Sequence, residues 1–225
     1  MKNNVKKRDE LEHNMVKVLF LIEHLEELSP WIYFEYENSS KIVGKNNLLI
    51  TNVKRENERK RLSKVANVKR ESIKTLAKTL FKDHKIIVLD LKAEKPLKPE
   101  DFENERIILV IGGILGDFPP KGRTYEYITK HLKSLRNVIV RNLGKEQLTI
   151  DGSIYVAYMV SKGINFQELK YIHGLRIKRK IGYIEHEIYL PYKYPMVKGK
   201  PLISDKLLKY LLKGIVVDEL ERLKT

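Results

Sequence analysis

Residues 111–124 read IGGILGDFPPKGRT, and an apolar run from Ile107 to Ile111 leads into the two glycines. This pattern predicts a buried strand that ends in a glycine-rich turn and stops at two prolines. The spacing matches neither the dinucleotide fingerprint GxGxxG nor the phosphate loops GxxxxGKS and GxxxxGKT. The turn is therefore expected to hold a ligand other than a phosphate group, unless it is only a tight turn.

A second glycine turn, around Gly144, follows the next predicted strand, Asn137–Arg141. In parallel α/β sheets, ligands bind outside the carboxyl ends of the strands, so both turns are expected at one edge. Glycine has no Cβ, which lets the backbone lie against a flat ring. The neighbouring side chains are apolar rather than basic, namely Ile114, Leu115, Leu143 and Leu148. This lining favours an aromatic ring such as adenine, and two tight turns without a ligand are the alternative.

Strands and helices alternate outward from these turns, which predicts an α/β fold with a Rossmann-like parallel sheet covered on both faces. The other predicted strands are Val16–Ile22, Asn47–Val53 and Ile86–Leu91. The predicted helices are Pro30–Val43 after the cap Ser29, a basic-zone helix burying Ile73, Leu76, Ala77, Leu80 and Phe81, then Thr124–Lys133, and a buried helix from Thr149. Residues 171–194 alternate around Gly182, which predicts a small basic β-hairpin appendage, and Ser204 is expected to cap the last helix.

The composition limits the class of protein. A chain of 225 residues, 42% of them hydrophobic, is enough for one α/β domain with a substantial core. No apolar run reaches bilayer length, the polar start at 1–14 is no secretory signal, and there is no cysteine. We therefore expect a cytoplasmic protein with a flexible polar tail at 1–14. The six histidines show no ligand spacing, so no metal site is expected.

The net charge of +15 is distributed unevenly along the chain. Residues 41–85 carry a net charge of +10 and residues 170–200 carry +6, whereas residues 1–40 carry −3. Two basic zones on an otherwise balanced surface favour a polyanionic partner, with RNA or a ribosomal particle as the first choice. A lysine- and glutamate-rich surface of the kind that thermophiles use is the alternative.

Several short motifs follow one another along the chain. They are IEHLEE at 22–27, Trp31, Glu35-Tyr36, GGILGDFPP at 112–120, Arg123-Thr124, RNLGKEQLTID at 141–151 and GKP at 199–201. Together they span roughly residues 16–212 and resemble one family of SPOUT methyltransferases. Its eukaryotic members are protein-arginine methyltransferases that act on a small-subunit ribosomal protein, and its archaeal relatives have been described as predicted RNA methyltransferases. The resemblance implies one SPOUT domain over 15–225 with a C-terminal trefoil knot, and 171–194 as a basic insertion.

The resemblance also implies S-adenosylmethionine as the cofactor, with the two glycine turns as the walls of its pocket. The residues that it assigns to the cofactor are Gly112, Gly113, Ile114, Leu115, Gly116, Asp117, Arg141, Asn142, Leu143, Gly144, Gln147, Leu148 and Thr149.

The choice of acceptor depends on charged side chains. An arginine acceptor needs carboxylates that bind its guanidinium and take a proton. Glu23 and Asp117 are therefore predicted catalytic residues, and Arg123 is added to them as a residue that would orient the substrate; purely structural roles are the alternative. The predicted substrate-binding residues are His24, Glu26 and Glu27 near the first strand, and Lys178, Arg179 and Lys180, which would bind phosphates.

The sequence thus predicts a methyltransferase that acts on an arginine of a ribosomal protein, with RNA contacts through its basic zones. Two alternatives stay open: methylation of rRNA or tRNA, and a non-catalytic ribosome- or RNA-binding protein with the same fold. The sequence favours neither a monomer nor a homodimer.

Overall fold

The computed structural model describes residues 18–103, 106–181 and 183–222, so the predicted tail at 1–14 lies outside the described residues. Six parallel strands form the main sheet in the order β3-β2-β1-β5-β4-β6. They are β1 (Val18–His24), β2 (Leu48–Thr51), β3 (Asn67–Val68), β4 (Lys85–Leu89), β5 (Ile107–Gly113) and β6 (Val138–Arg141). The predicted α/β class and parallel sheet are confirmed.

Helices cover both faces of this sheet. They are α1 (Pro30–Val43), α2 (Glu56–Leu62), α3 (Ile73–Leu76), α4 (Lys130–Leu132), α5 (Ile150–Ser161) and α6 (Asp205–Arg222). Successive strand residues point to opposite faces, which divides the core into two clusters. The cluster around Ile22 and Ile50 packs under α1, α2 and α5, and the cluster around Leu21 and Leu49 packs under α3 and α4.

Capping residues set the limits of the two helices that border the site. The Ser29 side chain accepts a hydrogen bond from the Ile32 amide, Pro30 begins α1, and Gly44 ends it with a φ of 84°. Thr149 caps α5 in the same way through the amide of Gly152. The predicted limits of α1 and the predicted start of the buried helix α5 are therefore confirmed.

Two predicted helices are shorter or less regular than their apolar spacing indicates. The helix α3 has one turn and the chain then continues in turns, so Leu80 is 54% exposed instead of facing the core. The segment after Thr124 begins as a π-helical turn, Tyr125–Thr129, before α4. The core nevertheless includes Ile73, Leu76, Ala77 and Phe81 of the first segment, and Ile128 and Leu132 of the second.

The hairpin is present and longer than predicted. Strands β7 (Tyr171–Ile181) and β8 (Ile184–Val197) pair antiparallel, and β9 (Lys200–Pro201) extends the base of β8. The outer part of the hairpin is exposed, but Leu190 and Tyr194 near its base are buried. The base of β8 is thus part of the domain and not an appendage. In the described part of the chain, no helix is long and apolar enough to cross a membrane.

Candidate active site

A cavity of about 800 Å³, here called the large cavity, lies at the carboxyl ends of the neighbouring strands β4, β5 and β6. This is the edge where ligands bind in open parallel sheets. The residues that line it follow the three strand ends and the start of α5: Leu89, Asp90, Leu91, Ile111, Gly112, Ile114, Asp117, Pro120, Lys121, Gly122, Arg123, Thr124, Leu143, Gly144, Glu146, Gln147, Leu148, Ile150 and Ser153.

The structure brings seven of the predicted cofactor residues together around the large cavity. They are Gly112, Ile114, Asp117, Leu143, Gly144, Gln147 and Leu148. Gly144 adopts a φ of 99°, in the left-handed region that favours glycine. The side-chain Oε1 of Gln147 is buried and has no hydrogen-bond partner within the described residues. Such an atom is suited to a polar group of a ligand.

Three predicted cofactor residues have structural contacts instead of lining the large cavity. A Cβ on Gly113 would clash with the Tyr36 hydroxyl and lie 2.8 Å from the Glu23 carbonyl oxygen. The Arg141 guanidinium donates two hydrogen bonds to Asp101, at 2.7 and 2.9 Å. The Asn142 side chain bonds the Ala93 carbonyl and the Gly144 amide, and so holds the second turn in place.

Several residues that line the large cavity are not among the predicted site residues. Asp90 follows β4, and its carboxylate accepts hydrogen bonds from the hydroxyl of Thr129 and the amide of Lys92. Thr124, Glu146 and Ser153 come from the loop after β5, the loop after β6 and α5. The signal that could have found Asp90 is its place after a buried strand next to β5, because neighbouring strand ends share one edge.

Arg123 is the centre of a charged cluster beside the large cavity. Its guanidinium bonds Asp117 at 2.6 Å, the Leu115 carbonyl oxygen at 2.6 Å, and the carboxylate of Glu26. The other oxygen of Glu26 accepts a hydrogen bond from the Leu115 amide at 3.1 Å. The cluster therefore joins the end of β1 to the glycine turn, and it contains two predicted catalytic residues and one predicted substrate-binding residue.

The structure places the other predicted acids and His24 away from the large cavity. Glu23 is fully buried, and its carboxylate accepts hydrogen bonds from Thr51, from Ser72 and from the Ile73 amide at 2.9 Å. It thus fastens α3 to the ends of β1 and β2. Glu27 is exposed and pairs with Arg55.

His24 is also buried and belongs to the packing of α1. Its Nδ1 lies 3.0 Å from the Tyr36 hydroxyl, and its Nε2 lies 3.7 Å from Glu58. Burial lowers the pKa of His24 below its usual value, and the nearby carboxylate of Glu58 offsets only part of this effect. The geometry assigns His24 to the core and not to a substrate.

A second, smaller cavity of about 220 Å³, here called the small cavity, adjoins the large one. Its lining comes from α1, the glycine turn, the start of α5 and β8: Trp31, Glu35, Leu115, Gly116, Thr149, Ile150 and Tyr192. Three predicted cofactor residues, Leu115, Gly116 and Thr149, lie here and not in the large cavity. Tyr192 reaches this place because β8 runs past Leu148, where the two backbones form a bridge between Leu148 and Lys193.

Comparison with known proteins identifies the family. The model of the family described as "Protein arginine N-methyltransferase SFM1-like" matches residues 19–217. This chain belongs to the SFM1-like family. The protein arginine N-methyltransferase SFM1 of Saccharomyces cerevisiae is 32% identical over 209 residues, covering 86% of this chain and 94% of the yeast protein.

Solved structures agree with this membership of the SFM1-like family. The crystal structure of yeast arginine methyltransferase SFM1 complexed with SAM matches with a TM-score of 0.74 and 28% identity, over 92% of this chain and 96% of that one. The crystal structure of a dual-specific Trm10 from Thermococcus kodakaraensis matches with a TM-score of 0.53 and 16% identity, over 67% of this chain and 96% of that one, which shows a shared fold. The protein is therefore a SPOUT-class methyltransferase, and its trefoil knot stays a prediction.

The three predicted phosphate-binding side chains of the hairpin line neither cavity. Lys178, Arg179 and Lys180 are exposed on β7. Lys178 pairs with Glu185 at 2.7 Å, and Arg179 donates a hydrogen bond to the Leu212 carbonyl oxygen on α6. Two of the three predicted phosphate-binding side chains thus have partners within the chain. No group of three metal-ligating side chains occurs among the described residues.

Proposed function

We propose that this enzyme transfers a methyl group from S-adenosylmethionine to an arginine side chain of a ribosomal protein. The observation that carries the proposal is the large cavity between the two glycine turns, in a chain that belongs to the SFM1-like family. The name of the yeast relative supports arginine as the acceptor. The cytoplasm is the proposed location.

S-adenosylmethionine is the methyl donor of this enzyme, and the residues of the large cavity fit it. The apolar side chains of Leu89, Ile114 and Leu148 suit the faces of an adenine ring. The unpartnered Oε1 of Gln147 accepts a hydrogen bond, which suits the amino groups of the donor.

The donor, when bound, supplies a methyl group on a positively charged sulfur. The chain itself holds the reactants in line and excludes water from between them. Arg123 fixes the glycine turn through Glu26, Asp117 and the Leu115 carbonyl, which gives the pocket wall a defined shape before substrate binds. Since an arginine nitrogen must lose a proton on methylation, a carboxylate is needed near the acceptor.

Methylation of RNA is the second candidate, and the basic surface favours it. The exposed side chains of Lys60, Lys64 and Arg70 lie in the 41–85 zone, which carries a net charge of +10. Such a surface suits phosphates, but it suits a ribosomal protein embedded in rRNA equally well. We therefore propose that RNA is a docking partner, and that the acceptor is protein.

A transfer experiment separates the two candidates. The protein is incubated with ribosomal subunits and a donor that carries a tritiated methyl group, and RNA and protein are then separated. We expect the label in a protein band and, after acid hydrolysis, in methylarginine. A Gly112→Val variant, whose side chain enters the large cavity, is the control for enzyme-dependent transfer. Label in RNA would contradict the proposed acceptor.

A further inference from the structure

The small cavity has the chemical character of a site for a flat cation. Its lining includes one carboxylate, that of Glu35, and the aromatic side chains of Trp31 and Tyr192. The free space inside it is close to that of one water molecule, so its side chains must move apart to admit a flat cation, and a nucleotide is far too large for it.

The small cavity and the large cavity share a wall. Ile150 lines both of them. Gly116 lies between Tyr192 of the small cavity and Gln147 of the large one, since a Cβ on Gly116 would clash with the Tyr192 ring and lie 3.0 Å from Gln147 Nε2. The Tyr192 hydroxyl donates a hydrogen bond to the Gly116 carbonyl oxygen at 2.8 Å, which fixes this wall. A group held in the small cavity is thus beside the donor.

Two buried carboxylates at this place have neutral hydrogen-bond partners. Glu35 accepts from the Trp31 indole at 2.7 Å and from the Ile150 amide at 2.9 Å. Asp151, 2% exposed, accepts from the side chain of Asn38 at 2.7 Å. Within the described residues neither carboxylate has a cationic partner. Because an uncompensated buried charge is costly, a cation brought by a ligand would be strongly favoured here.

We propose that the small cavity binds the guanidinium of the acceptor arginine, with Glu35 as its carboxylate partner and Trp31 and Tyr192 as its aromatic walls; this rests on the proposed function. A guanidinium is flat, offers donors in a fork that matches a carboxylate, and stacks on aromatic rings. Each carboxylate oxygen of Glu35 makes one hydrogen bond in the structure and has a further lone pair for a donor. The site therefore selects arginine over lysine by shape as well as by charge.

In the transfer step, Glu35 accepts the proton that the acceptor nitrogen loses. A guanidinium nitrogen forms a bond to the methyl carbon while the carbon–sulfur bond breaks, and the electron pair of that bond stays on the sulfur. The same nitrogen gives up one proton, which passes to the carboxylate of Glu35 and then to solvent. The products are a neutral thioether and a methylated guanidinium.

The electrostatic surroundings of Glu35 are consistent with this role. Burial, with a smaller contribution from the Asp151 charge, raises the pKa of Glu35 to about 8. The groups that face it are Trp31 and Tyr36 on α1, Asp151 on α5, and Tyr192 and Tyr194 on β8. A carboxylate that binds protons near neutral pH is a suitable general base. A bound guanidinium would favour its charged form.

The test uses Trp31, the single tryptophan of the chain, as a reporter of the small cavity. The full-length protein with S-adenosylhomocysteine added is titrated with ethylguanidinium chloride, and Trp31 fluorescence is recorded. Ethylammonium chloride at the same ionic strength is the matched ligand control. We expect a saturable change with ethylguanidinium only, and an affinity at least roughly tenfold weaker in Glu35→Gln, because a charge-assisted hydrogen bond is lost.

A matched variant on the same helix separates the loss of the Glu35 carboxylate in the small cavity from the loss of a negative charge elsewhere. Glu37→Gln removes a carboxylate that pairs with Lys41 and Lys206 outside the cavity, and its titration should equal that of the unmodified protein. An equal response to ethylammonium, no saturable response, or unchanged affinity in Glu35→Gln would overturn the assignment. If Glu35→Gln does not fold by circular dichroism, the comparison of the two cations in the unmodified protein decides.

Different experimental results would contradict the small-cavity site and the proposed function. Label in methylarginine together with full transfer by Glu35→Gln would overturn the small-cavity site alone. Label in RNA would overturn the proposed function, and with it the acceptor role of the small cavity, even if ethylguanidinium still bound there. The expected result is label in methylarginine, with transfer by Glu35→Gln lost and its affinity for S-adenosylhomocysteine unchanged.

Discussion

Gly112 and Gly113 are adjacent in sequence, yet the structure gives them different roles. Gly112 lines the large cavity, and a Cβ there would lie 3.1 Å from the Thr124 hydroxyl oxygen. Gly113 points into the packing between β1 and α1, where Tyr36 occupies the space that a side chain would need. The alternation of side chains along a strand separates the two. The family resemblance implies a cofactor role for both glycines, and the sequence alone does not show which of the two faces the cavity.

The two glycines therefore predict opposite results on substitution. Gly113→Ala should destabilise the fold by on the order of 2–3 kcal/mol, seen as a melting temperature about 5–10 °C lower, because the core is overpacked. Gly112→Ala should melt within about 2 °C of the unmodified protein and bind S-adenosylmethionine about tenfold more weakly. Calorimetry measures both properties. Equal melting temperatures in the two variants would contradict the separation.

Two glutamates near the end of β1 look alike in the sequence but have different roles in the structure. Glu23 and Glu26 both follow the first predicted strand, Val16–Ile22, and an arginine acceptor makes either carboxylate a reasonable candidate. The structure turns Glu23 into the core, where Thr51 and the Ile73 amide satisfy it, and it turns Glu26 toward Arg123. The partners of these side chains come from distant parts of the chain, so no local pattern distinguishes the two acids.

At the scale of elements, the sequence predicted five of the six strands of the main sheet, missed the two-residue strand β3, and did not predict the small cavity. Runs such as Ile86–Leu91 and Ile107–Ile111 are buried on both faces, and only a central strand satisfies that pattern. The helix α3 is shorter than predicted, because apolar spacing alone does not show where a chain leaves the sheet. The sequence does not place Tyr192 at the small cavity, since its approach to Gly116 depends on the packing of β8 against the domain.

Two buried carboxyl groups, Glu35 on α1 and Asp151 on α5, make the stability of the protein depend on pH. The folded protein raises the pKa of Glu35 to about 8 and also raises that of Asp151, in both cases mainly through burial. The folded state therefore keeps a proton that the unfolded chain releases near its ordinary pKa of about 4.3. By linkage, these groups make the protein less stable as pH rises from about 4.3 to about 8.

This linkage gives a prediction for urea unfolding at pH 5, 6, 7 and 8. The stability of Glu35→Gln should fall less over this range than that of the unmodified protein, because one buried group no longer ionises. Glu37→Gln is the control. Partial burial raises the pKa of Glu37, but the ion pairs with Lys206 and Lys41 together lower it by more, so that the pKa lies below its usual value. Glu37 is therefore ionised over the whole of this pH range. Identical slopes for all three proteins would show that Glu35 is ionised throughout.

For the whole molecule, the sheet divides the basic zone at 41–85 between two faces. Lys60 and Lys64 are exposed on and after α2, which packs through Leu62 on the same face as α1 and α5. Lys78 and Lys82 are exposed after α3, in a segment that packs through Ile73, Leu76, Ala77 and Phe81 on the opposite face. None of these four lysines has an acidic partner among the described residues. A single polyanion therefore cannot engage both pairs without wrapping around the sheet.

The division leads to a prediction about docking to RNA-containing particles. The face with α1 carries Trp31 and Glu35, so a ribosomal substrate should approach from that side. Lys60→Ala with Lys64→Ala should then weaken binding to ribosomal subunits and reduce the salt slope by about 2, as two phosphate contacts are lost. Lys78→Ala with Lys82→Ala makes the same change in charge on the other face and should leave the slope unchanged. Donor affinity, measured by calorimetry, should stay constant in both double variants. An equal loss of affinity for ribosomal subunits in the two double variants would show that net charge governs docking. The substrate would then have no preferred approach from the α1 face.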